Sequence, residues 1–147
     1  MDMTEGHRRN ISITFQLLDQ ALCEFRSWAE GREYKSVFYE EVNNLGPERR
    51  DALLKEVEYL QARLREVQNA LQLEGHAVRA TESIRSHATS LWLYLVELGG
   101  KYLRGYGDPS PELLAFLDPR VRELLQGVQH IGDIVNKESD ATEGVNR

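Results

Sequence analysis

Apolar residues recur at alternating steps of three and four along most of this chain. One such series covers residues 11–29, and the most regular one covers 53–71. Two more cover 77–102 and 121–135. Residues spaced in this way lie on one face of an α-helix. The pattern therefore predicts four main helices whose apolar faces pack together.

The first series continues poorly in the same register after Ala29, and a better helical series restarts at Tyr34 and continues to Leu45. Gly31 lies between the two, so we expect a kink, a stutter or a short break there. No segment has a pattern that predicts a β-strand. The clearest boundary is Asn-Asn-Leu-Gly-Pro-Glu at 43–48, because Asn and Gly end helices and Pro suits the first position of the next one.

Gly75 lies where the series ending at Leu71 and the one after it fall out of register. The interpretation that we favour is a tight antiparallel turn through residues 74–76. The alternative is one continuous helix from Pro47 to about Leu98. At ~1.5 Å per residue it would be roughly 75 Å long, and only a partner chain could bury its apolar side.

Glycines and prolines interrupt the pattern again after residue 98. Ser110-Pro111-Glu112 has the form of a helix start, and Asp118-Pro119 repeats it, so a short extra helix is predicted near 111–117. The predicted fold class is all-α, an up-and-down helical bundle of four main helices with this short extra helix. We expect a flexible N-terminus at 1–9, a single helical-bundle domain at 10–136 and a disordered tail at 137–147.

Composition narrows the class of protein. The 147 residues include 18 Lys and Arg against 24 Asp and Glu, a formal charge of −6, which disfavours unselective binding to nucleic acid. Cys23 is the only cysteine, so no disulfide can form within the chain, and we expect a buried, inert thiol. The first ten residues have no apolar core of the signal-peptide kind. The longest apolar-rich run, 91–98, is too short to cross a bilayer. We therefore expect a cytoplasmic protein with no membrane contact.

No pattern for catalysis, metal binding or cofactor binding stands out. A di-iron bundle needs Glu-x-x-His on two helices, and the residues three before His76, His87 and His130 are not glutamates. The catalytic, metal-ligating and cofactor-binding residues are therefore predicted to be none, and we favour a protein that is not an enzyme.

The glycine-rich segment 99–107 is the most unusual stretch. Cations and tyrosines among its glycines could contact an anion or a small ligand, and the candidate residues are Lys101, Tyr102, Arg104 and Tyr106. The same residues equally suit a helix C-terminus, which is the interpretation that we favour. Trp28 and Trp92 are the candidate contacts with a partner, because tryptophan often anchors an interface.

These observations favour a non-enzymatic interaction or assembly module, a scaffold or accessory subunit that forms a homodimer. Sustained heptad series assemble subunits when one chain cannot bury them all. An unidentified protein partner is also allowed. The first alternative is a sensor bundle for a small molecule or an anion. The second is a subunit that lines a nucleic acid, which we consider less favourable, using the arginines Arg49, Arg50, Arg63, Arg79 and Arg85.

Overall fold

The computed structural model describes the backbone of residues 1–145 and the side chains of residues 1–137. The described chain is mainly α-helical, with one small two-stranded sheet, so the predicted all-α helical-bundle class is confirmed. It divides into two compact units, residues 1–76 (unit 1) and 77–147 (unit 2). In each unit two long helices pack against each other along their length.

Unit 1 contains α1 (Glu5–Ala29) and α2 (Pro47–Leu71), joined through strands β1 (Tyr34–Lys35) and β2 (Glu40–Glu41). The two helices are antiparallel. Arg8, near the start of α1, donates to the carbonyls of Leu71 and Gln72 at the end of α2, at 3.2 Å each. This guanidinium supplies donors to carbonyls that have no partner within the helix. Near the other end, Arg26 donates to Gln61 of α2 at 2.8 Å.

Helix α1 begins earlier than the apolar series suggests. Thr4 is its N-cap and accepts from the backbone N–H of His7 at 3.1 Å, while its own N–H donates to His7 Nδ1 at 3.4 Å. This reciprocal pair is a capping box. Most of the segment 1–9 expected to be flexible therefore belongs to the first turn of α1 or its cap. At the other end, the last helix, α5 (Pro111–Val145), includes most of the predicted tail 137–147. Residues 146 and 147 lie outside the described part.

The expectation of a second helical series over 34–45 is wrong, because these residues form a β-hairpin and the loop after it. Helix α1 ends at Ala29, and Gly31 has a φ of 102°, which favours glycine. The strands pair antiparallel, with Tyr34 opposite Glu41 and Lys35 opposite Glu40. The break that the sequence suggested at Gly31 is confirmed. The periodicity after it was misread as helical.

A continuous helix through Gly75 is also wrong. Helix α2 ends at Leu71, and Gln72 adopts the left-handed conformation with φ 52° and ψ 50°. Residues 73–79 have no regular structure, and the next helix, α3 (Ala80–Val96), begins only after them.

Unit 2 contains α3 (Ala80–Val96), the single turn α4 (Gly100–Leu103), a 3₁₀ turn (Arg104–Tyr106) and α5 (Pro111–Val145). Helices α3 and α5 are antiparallel. Arg85 Nε, near the start of α3, donates to Asn136 Oδ1, far along α5, at 2.7 Å. At the opposite end, a Cβ on Gly100 would lie 3.2 Å from Leu114 Cδ2, so glycine allows this close approach.

The prediction of a separate short helix near 111–117 is corrected by the structure, because these residues are the first turns of α5. Pro119 lies inside the helix and does not end it. A proline in a helix removes one hydrogen bond and clashes with the preceding turn. Directly after Pro119, the Arg120 guanidinium donates to the carbonyl of Phe116 at 2.7 Å and lies over the Phe116 ring at 3.8 Å. The short helix of this unit is α4.

Candidate interaction surfaces

In unit 2, the apolar residues of α3 and α5 lie on two sides of each helix. One side is packed against neighbouring helices and the other is open to solvent. On α3, the residues Thr81, Ala88 and Leu95, seven apart, are half-buried. On α5, Val121 and Val135 are buried and Leu114 and Val128 half-buried, again seven apart. Together with the half-buried Leu125, these residues form the buried side of the helix pair, and Leu114 lies against Gly100 of α4.

Three positions after five of these residues the side chain is apolar but open to solvent, whereas Leu117, three positions after Leu114, is half-buried. The open residues are Ile84 and Leu91 on α3, Leu98 in the turn directly after α3, and Leu124 and Ile131 on α5, between 38% and 56% exposed. We call these five residues the unit-2 face. Each helix therefore packs only about half of its apolar series against neighbouring helices.

Geometry places the five residues on one side of the helix pair. Each residue advances about 100° around a helix, so a step of three turns by about −60°. Because α3 and α5 are antiparallel, a rotation by this angle away from the contact position points to the same side of the helix pair on both helices. Leu113 and Ile134, one residue before contact positions, extend this side along α5 and are also exposed. The result is one continuous apolar surface.

The opposite side of this helix pair is polar. On α5 it carries Arg122, Gln126, Gln129 and Asp133, all exposed. On α3 it carries polar residues such as Thr89, with Leu93 as an apolar exception. The pair is therefore amphipathic as a whole, which is the pattern of two helices that cover a third element.

Unit 1 has the same arrangement in weaker form. Leu22 and Ala29 of α1 and Val57 of α2 are buried between the helices. Leu18 and Phe25, three residues after the half-buried Phe15 and the buried Leu22, remain 38% and 45% exposed. The corresponding residues of α2, such as Leu60, are half-buried. The open large aliphatic and phenylalanine side chains of this helix pair therefore lie on α1.

The base of the β-hairpin is the most ordered polar cluster. Arg32 donates to Glu41 Oε1 from Nε at 2.9 Å and from Nη2 at 2.7 Å, and Glu41 is buried. This hydrogen bond raises the pKa of the Arg32 guanidinium above its ordinary value. The same guanidinium lies over the rings of Trp28 and Tyr34, at 5.0 and 5.6 Å. These contacts fix the hairpin to the end of α1.

Asn43 reinforces this base from the loop that follows β2. Its side-chain nitrogen donates to the carbonyl of Trp28 at 2.8 Å and to that of Arg32 at 3.1 Å. Its Oδ1 accepts from the backbone N–H of Leu45 at 3.2 Å. The chain leaving α1 and the chain entering α2 are therefore joined through one side chain.

The tip of the hairpin is apolar and open. Ser36 N–H donates to the Tyr39 carbonyl at 2.8 Å and closes the turn, and Val37 and Phe38 at its tip are almost fully exposed. Sequence reasoning missed this element. Its signal was the run of β-branched and aromatic residues over 37–39, which favours β structure over helix.

The two tryptophans predicted as partner contacts have different surroundings. Trp28 is half-buried beneath Arg32 and belongs to the hairpin base. Trp92 is 41% exposed on α3. A role for either in binding a partner stays a prediction, and the exposure of Trp92 fits it better.

The four residues predicted to contact a ligand lie on α4 and the 3₁₀ turn. Lys101 Nζ lies 5.9 Å from the centre of the Tyr102 ring, so these two are brought together. Tyr106 is 94% exposed, and Arg104 is exposed as well. A small-molecule site usually encloses most of its ligand. These open side chains have the surroundings of a helix end, and the ligand role stays a prediction.

The arginines considered for nucleic acid do not form one strip on α2. Arg49 and Arg63 lie on a similar side of the helix, but Arg50 is half-buried and donates to the carbonyl of Leu45 at 3.0 Å. Arg63 is paired with Glu66 at 3.1 Å. Arg85 is engaged with Asn136, as described above.

Two other observations concern the described residues only. Within them, no group of three or more His, Cys, Asp or Glu side chains is placed to hold a metal ion. None of the helices in this part of the chain is long and apolar enough to span a bilayer. Cys23, expected to be buried, is exposed on α1, because it lies one position beyond the buried Leu22.

Compared with known protein families, curated proteins and solved structures, the chain matches none.

Proposed function

We propose that this chain is a non-enzymatic assembly module that forms a homodimer, as a scaffold or accessory subunit. The observation that carries the proposal is the shortage of buried apolar side chains in each unit. Among the described residues, the buried apolar side chains are Leu22, Ala29 and Val57 in unit 1 and Val121 and Val135 in unit 2. A pair of helices is stabilised mainly by tertiary packing of its apolar faces. Folding coupled to association supplies the burial that each pair lacks.

The exposed apolar residues on both helix pairs support the same proposal. Monomeric proteins rarely expose continuous apolar patches above a few hundred Å². A cytoplasmic location is part of the proposal and is supported by the free, exposed thiol of Cys23, which suits a reducing compartment. The unidentified protein partner would be a further subunit of the assembly.

The test is sedimentation velocity over a thousandfold range of protein concentration, with thermal unfolding at the same concentrations. A homodimer gives a sedimentation coefficient and a melting temperature that both rise with concentration, because mass action stabilises the associated state. A folded chain that stays monomeric at the highest concentration, with a constant melting temperature, would refute the proposal.

A further inference from the structure

We propose that the unit-2 face is the surface through which two copies of this chain associate. The proposal rests on the proposed function and goes further, because it names the surface and its occupant. The occupant is the same face of a second copy, related by a two-fold axis, so that the α3–α5 pairs of the two copies form a four-helix bundle.

The spacing of the face favours a second copy over an unrelated partner. In a two-fold contact the same patch meets itself, so its pattern must be self-complementary. Leu124 and Ile131 on α5 and Ile84 and Leu91 on α3 repeat at the same step of seven. Side chains with one common repeat mesh between neighbouring helices as knobs in holes. The face therefore offers a second copy the same heptad spacing as its own.

Charge favours the same occupant. The chain carries a formal charge of −6, so two copies repel each other unless they meet on an uncharged surface. None of the five residues of the unit-2 face is charged. Arg120, which lies beside the face on α5, is held against the ring and carbonyl of Phe116. Acidic residues such as Asp133 lie on the opposite side of the pair.

The exposed area is close to what a stable dimer needs. From their exposed fractions, the five residues together with Leu113, Ile134 and Tyr94 leave on the order of 700 Å² of mainly apolar surface open, against the ~800 Å² that each partner buries in a standard interface. Tyr94 is a suitable rim residue, since its ring buries area while its hydroxyl stays in water. Two copies would then bury on the order of 1,400 Å² in total, within the range of roughly 1,200–2,000 Å² for specific, stable interfaces.

Two matched glutamate substitutions test the face. Leu124→Glu places a carboxylate on it, and Gln129→Glu places one on the polar side of the same helix. We expect Leu124→Glu to raise the dissociation constant of the dimer by at least ~100-fold, because the two-fold axis buries two unpaired charges. Gln129→Glu should change it less than about threefold. Sedimentation velocity gives both constants, and far-UV circular dichroism checks that each variant is still helical.

A second measurement keeps the idea testable if Leu124→Glu unfolds. In a Cys23→Ser background, Leu124→Cys and Gln129→Cys each carry one thiol, and its rate of reaction with Ellman's reagent is measured in the dimer. The thiol at 124 should react at least tenfold more slowly than the thiol at 129 and lose this protection on dilution. Equal rates in a dimeric protein, or a dimer equally tight in both glutamate variants, would overturn this face and leave the proposed function standing. A strictly monomeric wild-type chain would overturn both.

Discussion

Leu22 and Leu17 offer a stringent test of which side of α1 stabilises unit 1. Both are leucines in the same helix, but Leu22 is 2% exposed and Leu17 is 62% exposed. Replacing Leu22 with alanine removes three carbon groups from a fully buried position. At about 0.8 kcal/mol per buried methylene the transfer cost is about 2.4 kcal/mol, and incomplete closure of the cavity raises it to about 3 kcal/mol.

Leu17→Ala removes the same atoms from a side chain that water already reaches. We expect its free energy of unfolding to change by less than about 0.5 kcal/mol, since alanine is also the better helix former. Urea unfolding followed by far-UV circular dichroism, at one fixed protein concentration, measures both variants. If the two substitutions cost the same, or if Leu17→Ala costs more, then the α1–α2 contact does not lie along Leu22 and Val57. The packing described for unit 1 would then be refuted.

Two further predictions concern the connection between α1 and α2. Gly31→Ala should lower the free energy of unfolding by about 1–2 kcal/mol because its φ of 102° strains any other residue. Gly75→Ala, at a position without that φ and with open space around it, should leave the stability unchanged or slightly raised. Equal effects in urea unfolding would contradict this. Arg32→Met, which leaves buried Glu41 without its hydrogen bonds, should lower the melting temperature clearly more than the exposed control Lys35→Met. A smaller effect than the control would show that the hairpin base is not a stabilising contact.

Long heptad series were enough to predict α2 and α3 and the all-α class. In α2, six apolar residues from Leu53 to Leu71 keep one register without interruption, so periodicity alone identifies the helix. The same periodicity could not say which half of a series meets the neighbouring helix. Leu91 and Leu95 belong to one series, yet only Leu95 is half-buried, and that distinction depends on how α5 lies against α3.

Local rules failed where tertiary contacts outweighed them. Asp118-Pro119 resembles a helix start, but α5 continues through it, and the residues on either side of Pro119, the half-buried Leu114 and the buried Val121, are packed within unit 2. At the N-terminus, the cap at Thr4 was missed because His7 occupies the place where a capping box usually has Glu or Gln. In the hairpin, a spacing of four between Tyr34, Phe38 and Val42 resembled a helix by coincidence.

The chain has two tryptophans, and one lies in each compact unit. Indole emission is therefore a separate optical signal for each half of the molecule once the other indole is replaced. Trp92→Phe leaves Trp28 to report on the first half, and Trp28→Phe leaves Trp92 to report on the second. Titrating each single-tryptophan protein with denaturant would tell whether the halves melt in one transition or in two.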